Sequence, residues 1–219
     1  MQSDVNKGSK SGAKDTETPG AVFRSRRMST FARHIPPRSA DTRNGKVRER
    51  SVPLRGRLTK DAGACYIARF LVLAAEDPKR PIIAYVSSSG GIAAEALAVI
   101  STMNGIRCPI ATFCSGAVTG PAIAIAVHGK KGFRTATPTA QFSFGGFELQ
   151  GVSQDAAGND SLLAVFAENM ARDTGNPPAK VVEWVRKGAE FNAEEALKHG
   201  LIDTIAPGPN LPESPERTI

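Results

Sequence analysis

The stretch from Ile82 to Thr135 constrains the fold most, because strand patterns alternate there with helical patterns. Residues 82–86 form an apolar, β-rich run that ends in the Ser and Gly residues of 87–91, which we expect to form a turn. Apolar residues then recur at helical spacing from Ala93 to Met103. This succession predicts a strand, a glycine-rich turn and a helix.

A second unit repeats that order. Residues 110–113 have the pattern of a buried strand, Ser115-Gly116 closes it, and a short apolar helix is predicted at 121–127. Each turn then precedes a helix N-terminus, where free backbone N–H groups can hold a carbonyl oxygen or an anion. The rhythm and the short connections predict an α/β fold with the glycine turns at one end of a sheet.

The flanking segments carry helix signals of their own. Thr59 is the predicted N-cap of a helix before the central stretch, and the segment Phe191-Asn192-Ala193-Glu194-Glu195 is predicted to cap and open a short helix near the C-terminus. The predicted apolar stripes are Ile67, Phe70, Leu71 and Ala74 in the first helix, and Leu162, Leu163, Phe166 and Met170 in a longer, later helix.

The net charge of +7 is spread unevenly along the 219 residues. Residues 1–60 hold 15 Lys and Arg against 5 Asp and Glu, whereas the remainder holds 13 against 16. We therefore predict a basic flexible arm at 1–44, a folded domain at 45–207 and a Pro-rich tail at 208–219. No aromatic residues interleave the basic charges in the pattern that reads nucleic-acid bases, so we expect no specific nucleic-acid partner, and docking of a protein onto the arm stays open.

Cysteine usage and hydropathy exclude several classes of function. Cys65, Cys108 and Cys114 lie in apolar contexts without CxxC spacing, which predicts reduced thiols and a cytoplasmic location. No run reaches the apolar length of a membrane span. No His or Cys cluster has the spacing of metal ligands, so we expect neither a metal nor another cofactor.

A series of motifs over residues 47–205 resembles the proteolytic subunit of the Clp protease, and their order and spacing are more specific than any one of them. The motifs are Arg48-Glu-Arg, Glu76-Asp-Pro, Tyr85-Val-Ser-Ser-Ser-Gly-Gly, Thr112-Phe-Cys-Ser-Gly, Gly129-Lys-Lys-Gly-Phe-Arg, Pro138 and Ala193-Glu-Glu-Ala-Leu-Lys-His-Gly-Leu-Ile-Asp.

The resemblance implies a crotonase-like spiral of ββα units with a helical handle, and a serine endopeptidase with a Ser-His-Asp triad. Counting from the motifs, the Ser, His and Asp positions fall on Gly120, Gly145 and Gly188, so all three are glycine here. The family's oxyanion hole uses the N–H of the residue after the Ser, and that residue is Pro121, which has no N–H. The resemblance therefore implies a family member that has lost peptidase chemistry.

Part of the family's peptide-binding groove survives in the sequence. The turn at Gly90 and Gly91, followed by Ile92, matches the segment that pairs with a bound peptide in the family, so we predict peptide or oxyanion binding there. An ATP-dependent serine endopeptidase with displaced residues is the alternative, and Ser115 and Thr119 are its candidate nucleophiles.

The histidines offer that alternative little support. His34 lies in the arm and His199 lies in a predicted last helical turn. His128 lies at the far end of the predicted 121–127 helix, which places it roughly 10 Å from the turn at 1.5 Å per residue. A second alternative is other crotonase-fold acyl chemistry, in which backbone N–H groups at Gly91 and Gly116 serve as the oxyanion hole.

The resemblance also implies partners. Non-catalytic paralogues occupy ring positions beside active subunits in some Clp complexes, so a homo-oligomer or a hetero-oligomer with a catalytic paralogue is expected. An ATP-dependent unfoldase is a further expected partner, with Ile83 and Tyr85 at the family's docking positions. The span between Gly145 and Gly188 is shorter than in the family, which leaves a single ring, a double ring or another oligomer open.

Overall fold

The computed structural model describes residues 50–149 and 156–212, the side chains of 156–159 excepted. The predicted arm at 1–44 and most of the predicted tail lie outside this part of the chain, so the domain boundaries stay predictions. The elements in chain order are β1 (Ser51–Leu58), α1 (Lys60–Glu76), β2 (Ile82–Ile92), α2 (Ala93–Gly105), β3 (Ile110–Thr119), α3 (Ala122–Val127), β4 (Arg134–Ala136), β5 (Gln141–Ser143), β6 (Phe147–Glu148), α4 (Ala156–Thr174), α5 (Pro178–Lys187), β7 (Glu190–Asn192), α6 (Ala193–Lys198) and β8 (Thr204–Ile205).

The two longest strands of the sheet, β2 and β3, pair with a further strand near their ends. The main path of the sheet is β1-β2-β3-β4-β8, and all pairs along it are parallel. The first part of β3 pairs with β4, whereas its end at 117–119 pairs with β5. Likewise the end of β2 at Gly91 and Ile92 pairs with β6. This repeated strand–strand–helix arrangement is the predicted crotonase-like spiral, and α4 lies at the position of the predicted handle.

Two predicted turns are strands in the structure. The Ser and Gly residues of 87–91 continue β2 as far as Ile92, and Ser115-Gly116 lies within β3. Gly90, Gly91 and Gly116 do have positive φ angles, of 97°, 137° and 64°. These glycines bend their strands without ending them, because β5 and β6 continue the pairing beyond the bend.

The helix signals agree better with the structure. The Thr59 side chain accepts a hydrogen bond from the Ala62 N–H, and Asn192 forms a reciprocal capping box with Glu195. The predicted face of α4 is buried. The stripe of α1 was predicted wrongly at Leu71, which is 51% exposed, because Leu73 faces the core instead.

Two buried arginines join the motifs that carried the resemblance. Arg50 donates to the backbone carbonyls of Leu73 and Asp77 at 2.6 and 2.7 Å and so ties β1 to the end of α1. Arg134 donates to Asp203, with its Nε 2.8 Å from Oδ2, and ties β4 to the segment before β8. The second pair is an ion pair with both side chains largely buried.

Acid should weaken this ion pair. Burial alone would raise the pKa of Asp203, but the hydrogen bonds and the charge of Arg134 hold it below its ordinary value. A carboxylate with a lowered pKa stabilises the folded state above its unfolded pKa of about 3.9, and this stabilisation is lost as pH falls through the folded pKa.

We expect Asp203→Asn to lower the free energy of unfolding at pH 7 by about 3–5 kcal/mol, because it leaves the buried Arg134 without its counter-charge. Urea unfolding between pH 7 and pH 2.5 would show the difference from the unsubstituted protein shrinking at the acid end. Glu183→Gln, which removes the exposed partner of Lys187, is the control and should change little. A difference in the free energy of unfolding that does not change with pH would show that the ion pair between Arg134 and Asp203 is not its cause.

Candidate functional site

The three positions predicted for the triad lie around one point in the structure. Gly120 follows β3, Gly145 follows β5, and Gly188 ends α5 in a left-handed conformation. A Cβ atom built on Gly120 would lie 2.9 Å from the Gly145 carbonyl oxygen, and one built on Gly188 would lie 4.0 Å from the Gly145 Cα. The fold therefore brings together the three positions that counting along the motifs selected, and no side chain stands at any of them.

The backbone fills the space that a nucleophile's side chain would need at Gly120. Its φ angle is 57°, and a Cβ there would also lie 3.0 Å from the carbonyl oxygen of Gly146. Real Cβ atoms rarely approach an oxygen so closely, and an L-residue is strained at this φ. The Gly120 N–H donates to the Ser143 carbonyl at 2.7 Å, which holds the turn against β5.

The N–H groups that could form an oxyanion hole have other roles. Gly91 donates to the carbonyl oxygen of Gly146 at 3.2 Å, and Gly90 donates to the Ser88 hydroxyl at 3.3 Å. Pro121 is the N-cap of α3 and has no N–H to donate. None of these three positions therefore offers a free N–H donor to an oxyanion.

The strand β6 lies on the predicted peptide-binding segment. Gly91 and Ile92 pair with Phe147 and Glu148. On its other side Gly91 pairs with Leu58 of β1, and a Cβ on Gly91 would lie 2.3 Å from the Leu58 carbonyl oxygen. A peptide can pair with this edge only after β6 leaves it, so peptide binding at Gly90, Gly91 and Ile92 stays a prediction.

Neither candidate nucleophile has a base beside it in the described part of the chain. Ser115 and Thr119 are half-buried on β3. The His128 ring nitrogens lie 2.6 Å from Asp173 Oδ2 and 3.0 Å from Asn104 Oδ1, so they are not left to activate a hydroxyl. The His199 ring packs against Trp184 and Phe191, and its burial lowers its pKa.

The contact between His128 and Asp173 was missed by the sequence analysis. It joins the end of α3 to the end of α4, at the opposite end of α3 from Gly120 and about 9 Å away along a helix of six residues. Arg134 also donates to the Asp173 carbonyl at 3.0 Å. No local sequence pattern predicts a contact between residues so far apart in the chain. The further contacts of His128 with Asn104 and of Asp173 with Arg134 indicate that the pair has a structural role.

The described residues hold no group of three or more His, Cys, Asp or Glu side chains suited to a metal ion. Burial raises the pKa of the Cys114 thiol to about 12, so this thiol is protonated and unreactive. In the same part of the chain, no helix combines the length and apolarity that crossing a bilayer requires.

Comparison with known proteins agrees with this fold. The family model described as Clp protease matches residues 36–208. The chain is also 27% identical over 225 residues to the ATP-dependent Clp protease proteolytic subunit-related protein 2, chloroplastic, of Arabidopsis thaliana, with 99% of this chain and 78% of that protein covered. The chain belongs to the Clp protease family.

The two positions predicted for unfoldase docking in this Clp family member differ in exposure. Ile83 is buried in the core, with 6% of its surface exposed. Tyr85 is half-buried, and its ring packs edge-on against Phe113 with the centroids 5.7 Å apart. Only Tyr85 therefore offers a partner appreciable surface in the single chain, and docking at both positions stays a prediction.

The contacts at Gly120 predict a large cost for adding a single methyl group. We expect Gly120→Ala to lower the free energy of unfolding by about 1–3 kcal/mol through backbone strain, and by a further 1–3 kcal/mol through its clash with two carbonyl oxygens. Gly56→Ala is the matched control, since Gly56 has a φ of 76° but nothing within 4 Å of its Cβ position. If urea unfolding showed the same decrease in the free energy of unfolding for Gly120→Ala and Gly56→Ala, the space beside Gly120 would be open.

Proposed function

We propose that this chain is a non-catalytic subunit of a Clp-type protease assembly, which takes a ring position beside catalytically active subunits. The observation that carries the proposal is the backbone contact at Gly120, where the carbonyl oxygens of Gly145 and Gly146 occupy the space of a nucleophile's side chain. A site closed in this way needs more than one substitution to regain its chemistry.

Energetics support the absence of turnover. Removing a catalytic triad typically costs about six orders of magnitude in rate, and removing one oxyanion donor costs about two to three. The triad side chains are missing because glycine stands at positions 120, 145 and 188. The oxyanion donor is missing because Pro121 has no N–H. The fold itself persists around them, with its buried ion pair between Arg134 and Asp203. Retention of the fold without the chemistry favours a role in assembly.

An apolar surface on α1 supports contact with another subunit. Leu71 and Val72 are consecutive residues of α1 and are 51% and 52% exposed. Members of the Clp protease family generally form oligomeric rings, and the Arabidopsis relative is named as a protein related to a proteolytic subunit. We propose that Leu71 and Val72 lie in the contact with a neighbouring subunit, which would bury them.

The two enzymatic alternatives are less well supported. A displaced serine peptidase needs a base near Ser115 or Thr119, and the rings of His128 and His199 are engaged elsewhere. Acyl chemistry at Gly91 needs its N–H, and that group donates to Gly146.

Co-expression with a catalytic Clp subunit from the same source tests the assembly role. We expect an affinity-tagged copy of this chain to co-purify with the catalytic subunit, and native mass spectrometry should show both in one particle. The double variant Leu71→Asp, Val72→Asp should reduce co-purification at least tenfold, because it places charge on the proposed contact.

Circular dichroism of the double variant is the control, and it should be unchanged because both side chains are more than half exposed in the single chain. Purification of the tagged chain free of the catalytic subunit would contradict the proposal. A double variant that folds and still co-purifies fully would show that the contact lies elsewhere on the surface.

A further inference from the structure

A surface cavity of about 370 Å³ lies where α2 and α3 end and β3 begins, at the opposite end of α3 from Gly120. Its buried wall is apolar and consists of Met103, Cys108 and Ile110. The Lys130 N–H donates to the Ile110 carbonyl at 2.7 Å, which ties the loop after α3 to the start of β3. Binding sites for small molecules have volumes of about 300–1,000 Å³, so the cavity can hold a small organic ligand.

The residues that line this cavity include two cations, Arg107 and Lys130, and no carboxylate. Both cations are exposed, and neither forms an ion pair in the part of the chain that the structure describes. The Lys130 ammonium lies 5.2 Å from the centre of the Phe133 ring, a contact that leaves N–H groups available to a ligand. An anion that enters the cavity therefore meets two positive charges that no described carboxylate compensates.

Asn104 adds an amide to the same cavity. Its Oδ1 lies 3.0 Å from His128 Nε2, while His128 Nδ1 lies 2.6 Å from Asp173 Oδ2. These contacts fix the Asn104 side chain, and its Nδ2 carries two N–H donors for which the described residues supply no acceptor. Asp173 does not line the cavity, and Arg172 Nε lies 3.5 Å from its other carboxylate oxygen.

The end of α2 works against an anion here, but only weakly. A helix C-terminus carries a partial negative charge, and α2 ends at Gly105 beside the cavity. Such a helix end changes the affinity for an ion by about fivefold or less. A hydrogen bond to a charged group contributes about tenfold or more, so Arg107 and Lys130 together outweigh the helix end.

We infer that this cavity binds a small organic phosphomonoester, with the phosphate at Arg107 and Lys130 and the apolar body against Met103 and Ile110. A phosphomonoester carries a charge of about −1.5 to −2 at pH 7, which matches the two cations, whereas a carboxylate carries a single charge. Guanidinium and ammonium groups are the side chains that most often bind phosphate in proteins. The apolar wall favours an organic phosphate over the inorganic ion. This inference does not depend on the proposed place of the chain in a ring.

Phenyl phosphate is the probe, because it joins a doubly charged phosphate to an apolar ring. We expect it to bind the purified chain with a Kd of about 1 mM or lower, as measured by isothermal titration calorimetry. Benzoate keeps the ring with one charge, and inorganic phosphate keeps the charge without a ring, so each should bind about fivefold or more weakly. Equal binding of either control, or no binding of phenyl phosphate, would overturn the inference.

A short peptide that contains phosphotyrosine distinguishes a small molecule from a phosphorylated protein as the ligand. We expect the peptide to bind no more tightly than phenyl phosphate, because the cavity has room for a small ligand only. Binding about tenfold tighter would overturn the assignment to a small molecule.

Substitutions and hydrogen exchange locate the site. We expect Arg107→Gln and Lys130→Gln each to weaken the binding of phenyl phosphate by about tenfold or more. Lys131→Gln is the matched control, since Lys131 is exposed and adjacent in sequence but does not line the cavity, and it should leave the Kd unchanged. Circular dichroism should show that all three variants fold, because the substituted side chains belong to exposed residues.

In the unsubstituted protein, phenyl phosphate should slow amide exchange at residues 104–110 and 128–131. An equal loss of affinity in Lys131→Gln would show a response to net charge alone. That outcome, or protection confined to other segments, would overturn the inference.

Discussion

The contact between the Gly145-Gly146 turn and the ends of β2 and β3 is the constraint around which this molecule is built. Cβ atoms on Gly90 and Gly120 would lie 2.7 Å from the Gly146 oxygen and 2.9 Å from the Gly145 oxygen. Glycine at these positions lets the backbone segments touch. A catalytic cleft needs these same segments apart, with side chains between them. The chain therefore satisfies its backbone hydrogen bonds internally at the place where a peptidase would bind substrate.

The frame around this contact is held by interactions that do not involve the site. Arg50 fixes the end of α1 to β1, Arg134 and Asp203 fix β4 to β8, and His128 links α3 to α4 through Asp173. Because these interactions lie away from Gly120, the fold can persist when the chemistry is lost. Family membership thus shows the architecture, and the activity has to be argued from the residues of the site.

Local signals predicted the elements well. A single sequence is enough to predict features that depend on neighbouring residues and on helical spacing. The caps at Thr59 and Asn192 and the buried face of α4 are of this kind. The convergence of Gly120, Gly145 and Gly188 required more than local patterns. It came from counting along the motifs of a known family, and the fold places the three residues together.

Pairings between distant segments were not predictable in the same way. A two-residue strand such as β6 has no periodicity to detect, so its pairing with β2 could not be expected. The glycines at 90 and 91 were interpreted as a turn because Ser- and Gly-rich segments are typical of turns, but here they have positive φ angles within a strand whose edge another segment covers. Leu71 fits the apolar spacing of a core position yet lies exposed, and one chain cannot show which apolar face a neighbouring subunit would bury.

Hydrolysis of short fluorogenic peptides by the purified chain tests most directly whether the site is closed. We expect no turnover above that of the Ser115→Ala and Thr119→Ala variants, with a catalytic Clp subunit as the positive control, because no described base reaches either hydroxyl. Turnover that either substitution abolishes would contradict this account and would show that the nucleophile has moved along β3.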